Sequence, residues 1–195
     1  MRQIAFSLGV ALAAMTVCAH SAAAQTVAVG PYYATPSWDQ SIPCTAATNC
    51  SRFVVLSNFD NAAVLDRETG LVWERSPSTA VYPWSSGSTS LTAGYHCLLE
   101  VTLGGRIGWR LPTVNELASL VDKTSSSSPT LPPGHPFQNV LFGSAFDDYW
   151  TATTTAGSAN AARVLNFRDG QIGASPKSDS QLVWCVRGGQ VVDPQ

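Results

Sequence analysis

The residues of this chain that could do chemistry or hold a ligand are its five Cys, three His and six Trp. A cysteine nucleophile needs a histidine partner and an open, thiolate-favouring setting. A serine nucleophile of the strand-to-helix kind needs G-x-S-x-G, which does not occur here. His135, in Pro133-Gly134-His135-Pro136, reads as a turn residue rather than a general base. His96 adjoins Cys97, and neighbouring side chains rarely share one metal. With no CxxC and no His/Cys cluster at ligand spacing, neither a metal nor a cofactor is expected, and no catalytic residue is assigned. Binding is the better-supported chemistry. A sugar can be held without metal by an aromatic platform flanked by a few polar groups. Trp73, Trp109, Trp150 and Trp184 fall inside strand-like or motif segments and read as core. Trp38 and Trp84 fall in irregular segments and are the ligand-binding candidates. Arg163, Arg168 and Lys177, on or near the last hairpin, join them as cations that could meet an acidic sugar or a carboxylate. Arg110, Arg187 and Glu116 read as structural.

The elements that must position these residues are constrained by composition. The chain has 195 residues, 45 % hydrophobic and 12 % charged, with net charge −2. Its charged fraction is about half the usual ~25 %, which argues against a coiled coil and against charge-driven disorder. A slightly acidic chain is not a general nucleic-acid binder. The length suggests one domain, large enough to bury roughly 70 % of its unfolded surface.

Met1-Arg2-Gln3, the apolar run from Ile4 to Val17, and Ala22-Ala23-Ala24 form the pattern of a secretory signal peptide, with cleavage expected near Ala24. The run is shorter than the ~20 residues of a membrane span. The expected mature chain therefore starts near Gln25, exported to the periplasm, the cell surface or beyond, with no membrane span. It keeps Cys44, Cys50, Cys97 and Cys185, and four cysteines allow three pairings. Cys44 and Cys50 lie close together in a loop-like stretch, whereas Cys97 and Cys185 lie on distant regular elements. The expected disulfides are Cys44–Cys50 and Cys97–Cys185, worth about 2 and roughly 4–5 kcal/mol by loop closure.

Residues 25–51 read as an extended lead-in, 52–189 as the domain and 190–195 as a tail. Strands are expected at 52–56, 63–65, 71–73, 149–154, 163–167 and 182–187. Asp66-Arg67-Glu68-Thr69-Gly70 and Arg168-Asp169-Gly170 close hairpins. Residues 76–89 read as irregular. A helix is expected over about 90–100, with Leu91, Tyr95, Leu98 and Leu99 as its apolar stripe near Cys97. A second is expected over about 114–122, opened by a Thr113-x-x-Glu116 capping box. Residues 123–148 read as a long loop anchored by Phe137, Phe142 and Phe146.

Six motifs occur in one order: Arg52-Phe53; Asp66-x-x-Thr69-Gly70-Leu71-x-Trp73; Cys97; Trp109-Arg110-Leu111-Pro112-Thr113-x-x-Glu116-Leu117; Tyr149-Trp150-Thr151; and Cys185-Val186-Arg187. This series resembles the C-terminal domain family of the Legionella collagen-like (Lcl) adhesin, over about residues 52–189. The resemblance implies a C-type-lectin-like α+β fold, two helices flanking antiparallel strands with the chain ends brought together. It also implies an exported protein and, for the namesake adhesin, sulfated-polysaccharide binding by a trimer. The calcium-binding tripeptides of familiar C-type lectins, Glu-Pro-Asn and Gln-Pro-Asp, do not occur, and Asp147-Asp148 reads as a pair of solvated loop carboxylates. The expected function is therefore a non-enzymatic, lectin-like binding module, with a carbohydrate or a surface protein as partner. The alternative is a structural component of an envelope assembly without a small-molecule ligand.

Overall fold

Alternating side chains on strands this apolar must be buried on both faces, and the computed structural model resolves how. It describes residues 50–85, 91–144 and 147–188. The described residues are mostly β-sheet with few, short helices. β1 (Phe53–Leu56), β2 (Ala63–Asp66), β3 (Val72–Glu74) and β9 (Val186–Arg187) form one antiparallel sheet in the order β1-β2-β3-β9. β4 (Ser78–Pro83), β5 (Asp148–Thr154), β6 (Ala161–Asn166), β7 (Ile172–Pro176) and β8 (Ser180–Val183) form the other, ordered β4-β8-β5-β6-β7. The second sheet is mixed, because β5 runs parallel to β8. The first and last described strands thus share a sheet.

Side-chain alternation sorts these strands between two core clusters. Leu182, Trp184 and Val186 enter one cluster with Trp73, Tyr149, Phe167 and Leu117. Val183 and Cys185 enter the other with Val72, Trp109, Trp150 and Phe59. The tryptophans expected in the core, Trp73, Trp109, Trp150 and Trp184, are all fully buried.

Three boundaries differ from expectation. The segment read as irregular contains β4, whose register against β8 shifts between Ser78 and Val81. The expected closing strand 182–187 is two strands in two sheets. Trp184 and Cys185 make the crossing, and the Glu74 carboxylate takes up the Cys185 N–H at 2.7 Å. The second helix, α2 (Val114–Ala118), stops before 122. The Ser119 carbonyl accepts from Arg52 Nη2 at 2.8 Å, and the chain continues through tighter i→i−3 bonds at Leu120 and Val121.

The first helix also corrects the sequence reading. It begins at α1 (Ala93–Tyr95), capped by Thr92, and runs on as a π-helical turn, His96–Glu100. The expected stripe faces outward, with Leu91, Leu98 and Leu99 more than half exposed. Ala93, Cys97 and Val101 face the core instead. The reason is covalent: Cys97 is bonded to Cys185, 88 residues later, and that tether fixes the inward face. Cys50 is disulfide-bonded too, but its expected partner Cys44 lies outside the described residues.

The long loop is laid over the core. Phe137 packs edge-on between Phe53 and Trp184, at 5.0 and 4.9 Å between ring centroids. Thr130 N–H donates to the Phe167 carbonyl, and Leu141 N–H to Tyr149 Oη, both at 2.8 Å. Phe142 packs against the same cluster, and Phe146 lies outside the described residues. No helix among the described residues is long and apolar enough to cross a membrane.

Candidate functional site at Trp84

Trp84 follows Pro83, the last residue of β4, and is half-buried. Two indole hydrogen bonds clip this strand end to β5. Trp84 Nε1–H donates to the Thr151 carbonyl, and Trp150 Nε1–H donates to the Tyr82 carbonyl, each at 2.8 Å. With its one polar atom satisfied, the Trp84 ring is an apolar plate held in place. It lines two open cavities. One, of about 390 Å³, is shared with Arg110, Leu111, Thr113, Glu116 and Ala152. The other, of about 530 Å³, is shared with Asn160, Lys177, Ser178 and Ser85. Both volumes lie within the roughly 300–1,000 Å³ range of small-ligand sites.

The first cavity is walled by the Thr113–Glu116 capping box. Thr113 Oγ1 accepts from Glu116 N–H at 3.2 Å, and Thr113 N–H donates to Glu116 Oε2 at 2.8 Å. Arg110 adds a two-pronged bond to the same carboxylate, at 2.8 and 2.7 Å, and also reaches the Gly188 carbonyl. Burial works to raise the Glu116 pKa. The Arg110 guanidinium and the Thr113 N–H outweigh it, so the carboxyl is held below its ordinary range. This wall is therefore a fixed ion pair with little net charge, able to offer hydrogen bonds but not a free acid or base.

The second cavity is bounded by the turn after β7. Lys177 N–H donates to the Asn160 carbonyl, and the Lys177 carbonyl accepts from Ser85 N–H. The Lys177 ammonium lies 3.9 Å from the centroid of the Trp84 ring and donates to Thr154 Oγ1 at 2.9 Å. Of the sequence-derived candidates, the fold thus brings Trp84 and Lys177 into contact. Arg163 lies on β6, opposite Ala174 of β7. Arg168 sits at the turn end of the β6–β7 hairpin, where its carbonyl accepts from Ser128 Oγ. Lys177 follows the other end, a strand length of roughly 17 Å away. The three cations are not one cluster. Trp38 lies outside the described residues.

Asn160 and the Arg110–Glu116 wall are lining groups that sequence reading did not assign to a site. Glu116 carried a complete explanation as a cap, which hid its second role, and Asn160 sits in a turn without any motif. Elsewhere, burial pushes the Glu74 carboxyl up to about 7, against the Cys185 N–H that pulls it down. Burial likewise lowers the His135 pKa, and its ring stacks near Phe137. Neither lines the Trp84 cavities, and no group of three or more His, Cys, Asp or Glu among the described residues could hold a metal ion.

The motifs singled out in the sequence now have physical roles. Arg52 grips Asp66 with two 2.8 Å bonds, while Asp66 also accepts from Glu68 N–H and Thr69 Oγ1 to close the β2–β3 loop. Gly70 ends that loop at φ 70°, a conformation that favours glycine. Trp109 Nε1–H donates to the Arg106 carbonyl, and Arg110 bridges to Val186 of β9. No curated protein matches the chain. The family model of the Lcl C-terminal domain matches residues 62–187, which spans every strand from β2 to β9. By that match over most of its length, the chain belongs to the Lcl C-terminal domain family.

Proposed function

We propose that this chain is an exported, non-enzymatic binding module, adhesin-associated and C-type-lectin-like in fold, that holds a carbohydrate against Trp84. The observation that carries the reading is the Trp84 ring itself. It is fixed by its Nε1–H bond, half-buried, and open to two adjoining cavities with polar groups on their walls. A sugar presents an apolar C–H face and a rim of hydroxyls, and this pairing of plate and polar rim matches both. Family membership supports an adhesin-type role. The Cys97–Cys185 disulfide and the leader pattern at 1–24 support export. The short helices and the shared sheet of the first and last strands are compatible with the lectin-like arrangement.

A glycan array probed with the mature chain tests this. Wild-type protein is expected to bind a defined subset of glycans, Trp84→Ala to lose that binding, and Trp84→Phe to keep part of it. Array binding that survives in Trp84→Ala would remove the site, and a blank array would remove the function.

The exposed Leu91, Leu98 and Leu99 favour a second reading, a structural component of an envelope assembly that docks another protein. A blank array together with one protein partner cross-linked through the first helix would favour it.

A further inference from the structure

Some charged side chains in this fold are neutralised in place. Arg52 is paired with Asp66 and Glu68, His96 with Glu100, and Arg110 with Glu116. Lys177 is not one of these, and it stands against the Trp84 ring in a cavity wall. Among the described residues no carboxylate lies within ion-pair distance of it, yet it is half-buried and fixed. The Trp84 ring holds its ammonium from one side and Thr154 Oγ1 takes one N–H. An ammonium has three donors, so donor capacity remains. A lysine already held in one geometry has surrendered its freedom before any ligand arrives, which favours affinity. Around it the cavity offers Asn160, Ser178 and Ser85, all uncharged.

Resting on the carbohydrate reading above, we infer that the Lys177 cavity is a subsite for a sugar bearing a carboxylate. The carboxylate meets Lys177 Nζ. The body of the sugar lies along Trp84 towards the Arg110–Glu116 wall, whose internal pairing suits hydroxyls rather than a second charge. Among the residues that line this cavity Lys177 is the one cation, which calls for one anionic group here, not a continuous polyanion.

The test uses the mature chain and two matched probes, methyl β-D-glucuronide and methyl β-D-glucoside, titrated while the indole N–H resonance assigned to Trp84 is followed by NMR. The uronide is expected to bind about tenfold tighter, as a charge-assisted contact provides. Lys177→Met should erase that preference and Lys177→Arg should retain it. Equal affinities, or a preference that survives Lys177→Met, overturn the inference. Methyl glucoside 6-sulfate is the third probe: if it binds as tightly as the uronide, the carboxylate assignment is overturned. Binding of the neutral glycoside at Trp84 without preference overturns this inference alone and leaves the proposed function standing. If no probe moves the Trp84 resonance and the array is also blank, both are overturned.

Discussion

Two buried carboxylates show how differently one chemical group can be used. Asp66 is fully buried but carries a two-pronged guanidinium and two loop donors, so its charge is matched. Burial opposes the charge of Arg52, and its neighbours Asp66 and Glu68 more than offset this and raise its pKa. Removing one partner of such a pair leaves the other charge stranded. Among the described residues Glu74 meets no cation, only the Cys185 N–H, and its carboxyl is pushed up to about 7. The sign of the consequence follows from linkage. The folded chain binds the Glu74 proton more tightly than the unfolded chain, whose value is near 4.5. Its contribution is therefore fully present below 4.5 and is lost as pH rises towards 7, by up to about 3 kcal/mol. His135 acts in the opposite sense, because its lowered pKa costs stability as pH falls. The two are separated by difference: urea unfolding of wild type and Glu74→Gln from pH 4.5 to 8 should show their stability gap shifting by that amount in favour of the variant. A gap that stays constant across the range would mean that Glu74 does not titrate there.

At the scale of elements, local chemistry was legible wherever it was self-contained. The Thr113–Glu116 cap needs four residues, and all of its bonds form. Thr113→Ala should accordingly cost about 1 kcal/mol, measured as a shift in urea midpoint at constant m-value. A larger loss would show that the Arg110–Glu116 pair collapses with the cap. The β2–β3 and β6–β7 hairpins were readable for the same reason, since Gly70 and Gly170 both sit at positive φ in their turns. What was not legible depended on partners distant in sequence. Nothing near residue 118 says that Arg52 will take the Ser119 carbonyl and help end α2. The run Leu182-Val183-Trp184-Cys185-Val186 reads as one strand because every residue in it is buried. Only the Glu74 carboxylate, more than a hundred residues earlier, explains why it changes sheets at Cys185. The first helix misled most, because its leucines are its largest aliphatic residues while the disulfide decides which face turns inward. The candidate site followed the same rule. Trp84 stood out as an aromatic in an irregular segment, but its contact with Lys177 joins two sheet ends that no local pattern links.

The Cys97–Cys185 cross-link is placed where the pieces of the described fold meet. Cys185 lies at the crossing between the sheets, and Cys97 lies on the buried face of the first helix. The bond therefore ties three units, the β1-β2-β3-β9 sheet, the five-stranded sheet and the helix, around the cluster that contains Trp109 and Trp150. Trp150 also donates to Tyr82 beside Trp84, so the cross-linked core and the Trp84 cavities share a support. Closing a loop of 88 residues should contribute roughly 4–5 kcal/mol through the unfolded chain. In a domain of this size that corresponds to a fall in melting temperature on the order of 10 °C. Cys97→Ser/Cys185→Ser is expected to melt lower by that amount under oxidising conditions, and reductant, which also opens the Cys50 disulfide, should bring wild type at least as low. The local support of Trp84 is made of hydrogen bonds, the two indole clips, and not of the disulfide. Below its melting temperature the double variant should therefore retain the tryptophan fluorescence maximum of wild type. A red shift of that maximum at 20 °C would instead mean that the cross-link is needed to assemble the site as well as to stabilise the fold.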